Sequence, residues 1–477
     1  MKMKPRVLFI NAPYSYIVGI KDSAGHATPL NLCYLASYLR ENVDCEISII
    51  DCEIEEMSFE EIGKRIRVFN PSIVGITCPT PVFDYIIKIA GIIKRLNKDC
   101  YVVLGGPHPT ALPEDSIRYE SVDFLVLKEG EKTFKELVEL IVEGKTNFED
   151  IDGLAFKRKG KVIINKPREY IKDLDSLPFP ARDLLDFKRY RSAPTKRISK
   201  YLSTSILTGR GCPYNCIHCI SNCLWNRKFR FRSSKNIVEE IEYCIKKFGI
   251  REFNFYDDTF TLSEDHVIEV CDEIIRRKLK IAWICFGRVN MITRRMVRKM
   301  KQAGCKKISF GLESGSQEIL NKMRKEATLD MARKAVKIVN EEGINVNASF
   351  MLGNVGETRK TVKKTINFAK SLELDNATFF ITTPYPGTDL HKIALEKGYI
   401  NNKTRYMDFA PITDAKPIVV QDNLSAEELI KLRKKAFAQF YLRPKCILRR
   451  IRQIDSLESI KSLVEGVLIF LRVQKTS

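Results

Sequence analysis

Long apolar runs are absent from this sequence, and their absence limits the kind of protein it can form. The first apolar stretch, Val7 to Ile10, is too short for a signal peptide, and no segment reaches the ~18 apolar residues of a membrane-spanning helix. Low-complexity tracts are also missing, which excludes a fibrous or disordered chain. The sequence therefore predicts a globular protein of the cytoplasm.

Acidic residues are fewer than basic ones, 59 against 80, and the 477-residue chain has a formal net charge of +21. Such a surplus suits an anionic partner, whether nucleic acid, acidic lipid, or a phosphorylated or carboxylated substrate. A general preference for lysine in the source genome gives the same excess, so charge alone does not choose between these explanations. The length predicts two or three domains.

Three of the 14 cysteines lie within eight residues, and the others are scattered along the chain. Without a secretion signal, a disulfide framework is disfavoured, and metal binding or catalysis is favoured for clustered cysteines. We expect most of the scattered cysteines to be buried as small hydrophobic residues.

Residues 1–145 alternate short apolar strands with amphipathic helices, which predicts an α/β domain with a parallel sheet covered on both faces. Five strands are expected in this doubly wound domain, and its ligands should lie beyond the carboxyl ends of the strands. Residues 146–200 break the rhythm with a hairpin and a proline-containing linker at Leu177–Ala181, so we place a domain boundary in this stretch.

The alternation resumes in residues 201–421, where six consecutive strand–helix units predict a partial (β/α)6 barrel. A barrel of this kind carries its chemistry at the carboxyl ends of its strands. Residues 422–477 are predicted to form a helical tail with a short apolar run from Val467 to Leu471. The tail also has a cluster of basic residues, Arg443, Lys445, Arg449, Arg450 and Arg452.

The sequence Gly209-Arg-Gly-Cys-Pro-Tyr-Asn-Cys-Ile-His-Cys219 directly follows the first predicted barrel strand. Its C-x3-C-x2-C spacing supplies three thiolates, Cys212, Cys216 and Cys219, and thiolates are the ligands of iron–sulfur clusters. Three ligands leave one iron of a [4Fe–4S] cluster free to bind a small bidentate molecule. With Cys223 as a fourth ligand, the loop would instead hold zinc or a fully ligated electron-transfer cluster, but the spacing is unusual for zinc.

This loop, placed after the first strand of a six-unit barrel, resembles the signature of the radical S-adenosylmethionine (SAM) superfamily. The family usually has an aromatic residue before the last cysteine, and His218 in that position is a mild departure. The resemblance covers roughly residues 200–400. It implies a [4Fe–4S] cluster whose open iron binds SAM, inside a barrel that keeps water away from a radical.

Residues at the ends of the later barrel strands fit the same resemblance. The family binds the methionine amino group after the second strand, where this chain has Asp257 and Asp258, although two adjacent acids also occur at helix starts. Arg288 follows the third strand and is expected to face the cavity. The family contacts ribose and carboxylate after the fourth strand, which implies Glu313 and Ser314. Two more motifs follow the fifth and sixth strands, at Met351–Glu357 and Pro384–Thr388.

The amino-terminal domain resembles the cobalamin-binding domain that precedes the barrel in one branch of the superfamily. That branch includes anaerobic tetrapyrrole cyclases and cobalamin-dependent radical methyltransferases. Glycines at strand ends let the backbone approach a large flat ring, and small hydroxyl groups can contact its nucleotide tail. The resemblance implies a cofactor-binding role for Thr77, Thr80, Gly105, Gly106, His108, Glu129 and Gly130.

Two motifs are missing from this domain. It lacks D-x-H-x-x-G, whose histidine ligates cobalt in other cobalamin domains, so no lower axial ligand is assigned; the radical branch often lacks this motif. It also lacks G-x-G-x-x-G after the first strand, where the chain has Asn11-Ala-Pro13, and dinucleotide binding is therefore disfavoured. A purely structural domain is the remaining alternative, and His108 would then be an ordinary loop residue.

The two resemblances together imply a cobalamin-dependent radical SAM enzyme that methylates an unactivated carbon through a 5′-deoxyadenosyl radical. Radical cyclisation or oxidation of the tetrapyrrole cyclase type is the main alternative. Methylthio transfer is a weaker alternative, because it requires a basic C-terminal oligonucleotide-binding barrel, whereas residues 422–477 are predicted to be helical. The implied partners are a small-molecule or lipid-like substrate and an electron donor such as ferredoxin or flavodoxin, and nucleic acid is not expected.

The basic tail predicts peripheral contact with an acidic membrane, where each basic residue gains about 1 kcal/mol. The alternative is that the apolar residues of the tail pack against the barrel and leave the arginines simply solvated. Those apolar residues are Ile447, Leu448, Ile451, Leu468 and Leu471.

Overall fold

The computed structural model describes residues 4–14, 26–190, 198, 202–401, 403–410, 417–444, 446–448, 464 and 467–468. Within these residues, no helix combines the length and the apolar character needed to cross a bilayer. Of the scattered cysteines, only Cys45 and Cys223 are partly exposed, which confirms that most of them serve as small core residues.

The first sheet has the strand order β2-β1-β3-β4-β5-β6-β7. Strands β1 to β5 are parallel, as predicted, and β6 and β7 are antiparallel. The strands are β1 (Arg6–Asn11), β2 (Glu46–Asp51), β3 (Ile73–Thr77), β4 (Tyr101–Gly105), β5 (Phe124–Val126), β6 (Leu154–Arg158) and β7 (Lys161–Ile164).

The prediction of five strands is wrong for this sheet, because the hairpin of β6 and β7 continues it beyond β5. Phe124 pairs with Phe156, and Val126 pairs with Leu154. The side chains of Leu154 and Phe156 are buried in the same apolar cluster as Phe134. The hairpin of the predicted connecting stretch therefore packs as part of the amino-terminal domain.

Helices cover both faces of the first sheet, which confirms the doubly wound arrangement. Helices Leu30–Asn42 and Glu131–Glu143 bury their apolar residues on one face. Helices Phe59–Phe69 and Phe83–Leu96 do so on the other face. Three shorter helices follow strand ends: Cys52–Glu55, Pro107–Ala111 and Pro113–Ile117.

The second sheet has six parallel strands in the order β15-β14-β13-β12-β11-β8. Its edge strands, β8 and β15, do not pair with each other in the part of the chain that the structure describes, so the barrel is open, as predicted. The strands are β8 (Ser203–Ile206), β11 (Glu252–Phe255), β12 (Ala282–Gly287), β13 (Cys305–Glu313), β14 (Asn345–Leu352) and β15 (Asn376–Ile381). A separate two-stranded sheet pairs β9 (Gly209–Gly211) with β10 (Phe229–Phe231).

The six longer helices of the barrel start with the same kind of N-cap. Each begins after a serine or threonine whose side chain accepts a hydrogen bond from a backbone N–H of the first turn, a cap that stabilises a helix by about 1 kcal/mol. The helices are Ser234–Phe248, Glu264–Arg276, Arg294–Gln302, Leu329–Glu341, Arg359–Ser371 and Asp389–Glu396. Short helices Ser221–Trp225 and Gln317–Lys322 complete the barrel domain.

Alternation along β14 separates the barrel core from the lumen. Residues of one set are buried in the core shared with the helices: Val346, Ala348, Phe350 and Leu352. Residues of the other set are only half-buried: Asn345, Asn347, Ser349 and Met351. Because successive side chains of a strand point to opposite faces, the β14 wall of the lumen is mostly polar.

A buried ionic triad holds the linker against the barrel. Arg182 of the linker forms an ion pair with Glu240, with 2.6 Å between Nη2 and Oε1, and Arg232 donates to the other oxygen of the same carboxylate at 2.5 Å. The side chains of Arg182 and Glu240 are completely inaccessible to solvent. Arg232 also donates to the hydroxyl of Tyr34 in the first domain, at 3.3 Å. The triad therefore fixes the linker, the barrel and the first domain together.

Where the structure describes it, the carboxyl-terminal region is mainly helical, as predicted. Helix Ala426–Tyr441 packs on β15 through Leu429, Ala436 and Phe440, which belong to the barrel core. Arg443 covers the ring of Phe440 and donates to the carbonyl of Lys370.

Three of the five apolar residues of the tail lie in the described part of the chain, and these three are not buried as the alternative requires. Ile447, Leu448 and Leu468 are between 46% and 55% exposed. The remaining residues named for the tail, Lys445, Arg449, Arg450, Ile451, Arg452 and Leu471, lie outside the described residues.

Candidate functional site

A cavity of about 330 Å³ lies between the carboxyl ends of the first sheet and the mouth of the barrel. This is the edge at which open parallel sheets bind their ligands. The barrel contributes Leu207, Arg210, Trp225 and Tyr256 to the opposite wall. Six of the predicted site residues line the cavity: Thr77, Gly105, Gly106, Glu129, Gly130 and Asp258.

Two glycines of this cavity, Gly106 and Gly130, lie where a side chain would be crowded. Gly106 has a φ of +98°, in the left-handed region that favours glycine, and a Cβ there would lie 3.3 Å from the backbone nitrogen of Cys78. A Cβ on Gly130 would lie 3.1 Å from the side chain of Leu35. Thr77 accepts a hydrogen bond from Asn31 at 2.8 Å. The bare, largely apolar floor fits a broad flat ligand such as cobalamin.

Thr80 and His108 do not reach this cavity. The Nδ1 atom of His108 lies 3.2 Å from Thr80 Oγ1. The centre of its ring lies 4.1 Å from the ring centre of Phe83 and 5.0 Å from that of Tyr406. Burial lowers the pKa of His108 to about 4, so the ring is neutral at physiological pH. The two residues therefore pack between the first domain and residues 403–410.

The cluster loop, residues 212–228, is closed by the β9–β10 pair, which forms its neck. Gly211 at this neck has a φ of +95°, and a Cβ there would lie 2.0 Å from the carbonyl oxygen of Lys228. Cys212 and Cys216 are buried inside the loop, and Cys219 is partly exposed. The pKa of Cys219 is raised to about 12, chiefly by burial and further by Asp258, Cys216 and Cys212 beside it. All three thiols lie on this closed loop.

The donor set of the loop, three thiols, is the kind that iron–sulfur clusters use. Across the described ranges, no three His, Cys, Asp or Glu side chains converge on a position for one metal ion. The iron corners of a cubane hold their sulfur ligands farther apart than one ion does. Three thiols on a single closed loop are therefore the residues that would hold a [4Fe–4S] cluster.

Cys223 packs beside Gly387 and Ala111. A Cβ added to Gly387 would lie 2.8 Å from Cys223 Sγ and 2.9 Å from the Cβ of Ala111 in the first domain. The side chain thus fills the contact between the barrel and the first domain. This position disfavours the alternative in which Cys223 is a fourth ligand.

Arg288 lies beside the cluster loop, after β12. Its Nη1 is 3.7 Å from Cys216 Sγ, and its guanidinium carbon is 3.4 Å from the centre of the Tyr214 ring. Nη2 donates to the carbonyl of Lys325. Arg288 is buried, and it is not among the residues that line the cavity between the first sheet and the barrel mouth.

The two adjacent acids after β11 have different surroundings. Asp257 accepts hydrogen bonds from the backbone nitrogens of Thr208 and Gly209, at 2.7 and 2.6 Å. Burial raises its pKa to about 7. Asp258 is exposed on the cavity wall and accepts a hydrogen bond from Ser221 at 3.1 Å. Of the two, Asp258 offers the carboxylate that could bind an ammonium group, whereas Asp257 holds the start of the cluster loop.

Glu313, the last residue of β13, and Ser314, which follows it, have different surroundings. Glu313 has a φ of +62° and accepts a hydrogen bond from Lys325 at 2.8 Å. Burial opposes its ionisation, but the charge of Lys325 holds the pKa of Glu313 below its usual value. Ser314 is fully buried, lies 3.1 Å from Thr365 Oγ1 and accepts a hydrogen bond from the backbone of Ser316. Ser314 therefore shapes the turn.

Glu357 is the last residue of the motif Met351–Glu357 after β14, and its carboxylate holds the backbone of the loop at Gly353 and Asn354. It accepts hydrogen bonds from the backbone nitrogens of Gly353 and Asn354, at 2.6 and 3.0 Å. Burial raises its pKa to about 7. The residue is inaccessible to solvent, and its hydrogen bonds order the loop.

Sequence reasoning missed three charged residues of the site, Glu131, Arg210 and Arg230. Arg210 pairs with Glu129 and Glu131, and Arg230 pairs with Glu129. Burial opposes ionisation of Glu131, but the guanidinium of Arg210 holds its pKa below the usual value. The available signal was the position of Arg210, two residues before the first cluster cysteine.

Comparisons with known proteins agree with this geometry. The model of the Radical SAM superfamily matches residues 206–369, and that of the B12 binding domain matches residues 16–138. An uncharacterized methyltransferase of Pyrococcus horikoshii is 36% identical over 98% of this chain and 99% of its own length. An anaerobic magnesium-protoporphyrin IX monomethyl ester cyclase of Rubrivivax gelatinosus is 28% identical over 92% of this chain and 77% of its own length.

A solved structure shows the same fold. It is a radical SAM methyltransferase of Kitasatospora setae with cobalamin and a [4Fe–4S] cluster bound. It is 21% identical and has a TM-score of 0.67, and the match covers 82% of this chain and 76% of the other.

Proposed function

The chain belongs to the B12-binding radical SAM enzymes, which use a [4Fe–4S] cluster, SAM and cobalamin, and we propose that it methylates an unactivated carbon of its substrate. The relative from Pyrococcus horikoshii, which matches nearly the whole chain, is named as a methyltransferase. This likeness supports methyl transfer as the reaction.

The proposal depends on one observation: the first domain and the barrel both contribute residues to the wall of the same cavity. Gly105, the last residue of β4, and Gly106 lie on one side of the cavity, and Arg210 at the neck of the cluster loop lines the other side. When bound, the cluster and SAM supply a carbon radical by one-electron cleavage, and cobalamin supplies a transferable methyl group. A substrate between them would meet both groups without leaving the cavity.

Residues of the chain have defined tasks in this arrangement. Cys212, Cys216 and Cys219 would hold the cluster, and Asp258 would bind the amino group of SAM at the cavity wall. Leu207 and Trp225 cover the apolar part of the cavity and exclude water from it. The chain thus orients the reactants and protects a reactive species.

The substrate is proposed to be a small molecule or a lipid-like compound, with ferredoxin or flavodoxin as the electron donor. The half-buried Asn347 and Ser349 on the lumen side of β14 support a substrate with hydrogen-bonding groups at its inner end. The apolar residues of the cavity suit a less polar outer end.

Radical cyclisation is the second candidate, and the likeness to the Rubrivivax gelatinosus cyclase favours it. The products of SAM distinguish the two reactions. Methyl donation leaves S-adenosylhomocysteine, whereas radical formation leaves methionine and 5′-deoxyadenosine. A methyltransferase therefore forms both nucleoside products, and a cyclase forms only 5′-deoxyadenosine.

The test is anaerobic incubation of reconstituted protein with cobalamin, a reductant, SAM labelled in its methyl group and a small-molecule extract. We expect S-adenosylhomocysteine and 5′-deoxyadenosine in similar amounts, together with a labelled product. The Cys216→Ala variant should form no 5′-deoxyadenosine. Formation of 5′-deoxyadenosine without S-adenosylhomocysteine or label would reject methyl transfer in favour of cyclisation or oxidation.

We further propose that the carboxyl-terminal tail contacts acidic membrane surfaces. Leu442, Ile447 and Leu448 are between 46% and 62% exposed, and the sequence places basic residues next to them. Exposed apolar side chains next to basic ones are typical of segments that lie at a bilayer interface.

A further inference from the structure

Four charged side chains connect the amino-terminal domain to the neck of the cluster loop, and we call them the charge bridge. Arg210 of β9 donates to Glu129 Oε1 at 2.8 Å and to Glu131 Oε1 at 2.6 Å. Arg230 of β10 donates to both oxygens of Glu129, at 3.0 and 2.8 Å. The two glutamates follow β5 of the first domain, and the two arginines stand opposite each other in the neck.

The charge bridge is balanced and almost completely buried. Two positive and two negative side chains meet, and their exposed fractions lie between 4% and 13%. The guanidinium of Arg210 also lies 5.2 Å from the ring centre of Tyr34. Removing one partner of such a network leaves a buried charge without its counter-charge, which is strongly unfavourable. The two domains therefore cannot separate at this point without a large cost.

The location of the charge bridge gives it access to both cofactor sites. Glu129, Glu131 and Arg210 line the cavity of the first domain, with Gly130 between the two glutamates. Arg210 is also only two residues from Cys212 in the sequence. A displacement of the cavity wall after β5 is thus transmitted to the neck of the cluster loop through charge-assisted hydrogen bonds.

We propose that Arg210 is a positioning residue that couples the two cofactor sites energetically. Filling the cobalamin cavity holds Glu129 and Glu131 in place, which fixes the neck and favours cluster formation. By the reciprocity of linked equilibria, a formed cluster strengthens cobalamin binding by the same factor. The inference rests on membership of the family and not on methyl transfer, because it concerns binding alone.

The test uses the full-length chain and hydroxocobalamin under anaerobic conditions. Equilibrium dialysis gives the Kd for hydroxocobalamin before and after reconstitution with iron and sulfide. In the wild type we expect cluster formation to lower Kd by a factor of about 5 to 150. In Arg210→Gln this ratio should fall to near 1. A ratio near 1 in the wild type, or an unchanged ratio in the variant, would overturn the proposal.

Two variants separate coupling from general damage. Arg168→Gln removes a guanidinium that is 15% exposed and pairs with Glu136 within the first domain, so its ratio should match the wild type. Arg210→Lys retains the charge but cannot form the same fork to two carboxylates, and an intermediate ratio is expected. A loss of coupling in Arg168→Gln equal to that in Arg210→Gln would also reject a special role for Arg210.

If Arg210→Gln does not fold, Glu131→Gln replaces it, because this change leaves Arg210 paired with Glu129. The ratio of Kd values should again decrease. The paramagnetic resonance spectrum of the reduced cluster is then recorded with and without hydroxocobalamin. The spectrum should respond to cobalamin in the wild type and less in Glu131→Gln, and an equal response in both proteins contradicts the coupling.

Discussion

The guanidinium of Arg288 lies between two residues of the cluster loop, with Nη1 3.7 Å from Cys216 Sγ and the guanidinium carbon 3.4 Å from the ring centre of Tyr214. The residue is buried, so its charge is poorly screened by water. A positive N–H donor beside a ligand sulfur stabilises the electron-rich state of a cluster. Arg288 thus combines a structural contact with an electrostatic one.

We therefore predict that Arg288→Gln lowers the reduction potential of the cluster by tens of millivolts and slows SAM cleavage. A redox titration followed by paramagnetic resonance measures this shift. Arg294→Gln is the matched control, because Arg294 forms exposed ion pairs with Glu341 and Glu342 far from the loop. Equal potentials for the wild type and Arg288→Gln would show that the contact with Cys216 has no electronic role.

A second prediction compares two cysteines of the same loop. Cys216→Ala should lose the cluster iron and all formation of 5′-deoxyadenosine, because only two ligands remain. Cys223→Ala should retain both, since Cys223 packs against Gly387 and Ala111. Iron analysis and chromatography of the products decide the matter. A loss of iron in Cys223→Ala would mean that the fourth cysteine binds the cluster.

The buried triad of the linker gives a third prediction, on stability. Glu240→Gln should destabilise the protein by about 3–5 kcal/mol, because Arg182 and Arg232 then lose their shared counter-charge. The midpoint of urea unfolding, followed by tryptophan fluorescence, measures the loss. Glu60→Gln is the control, since Glu60 pairs with Lys64 on the surface and should leave the midpoint unchanged. An unshifted midpoint in Glu240→Gln would contradict the importance of the triad.

The fourth prediction concerns pH. Burial raises the pKa of Glu357 from 4.5 to about 7 in the folded chain, so the folded state binds more protons than the unfolded state between these values. Stability from this group is therefore fully present below pH ~4.5 and is lost as the pH rises through 7, by about 1–3 kcal/mol. The difference in unfolding free energy between the wild type and Glu357→Gln should change in this direction. A difference that is independent of pH would show that Glu357 does not titrate in the folded chain.

A fifth prediction tests the tail by flotation with liposomes. Binding should increase with the acidic lipid content and decrease with salt, because salt screens the attraction between the basic residues and the lipid. A double replacement of Ile447 and Leu448 by serine should weaken binding, since both side chains are about half exposed. The absence of binding at low salt would end the membrane proposal.

Local spacing explains why the cluster loop could be predicted from the sequence. The three cysteines lie within eight residues, so no tertiary contact is needed to bring them together. The strand–helix alternation likewise reports local burial, and it predicts the six strands of the barrel and the five parallel strands of the first sheet. The sheet membership of β6 was missed, because pairing of β6 with β5 depends on an edge that local patterns do not reveal.

The charge bridge shows where local reasoning ends. Arg210 and Glu129 are 81 residues apart in the sequence, and their contact depends on how the two domains meet. For His108, local reasoning predicted a contact that is not formed. Its position after a strand predicts a ligand contact, yet its side chain packs against Tyr406, which is far away in the sequence. Side-chain direction at a strand end is set by tertiary packing, which a single sequence does not display.

The six capped helices of the barrel have a consequence for the electric field at the site. Each helix follows a strand, so all six start on the side of the barrel where the strands end. A helix start carries the equivalent of about half a positive charge. The fold itself therefore creates a positive potential at the mouth, where a carboxylate or an anionic cluster would bind. The excess of 21 positive charges need not be assigned to this site and remains available for partners elsewhere on the surface.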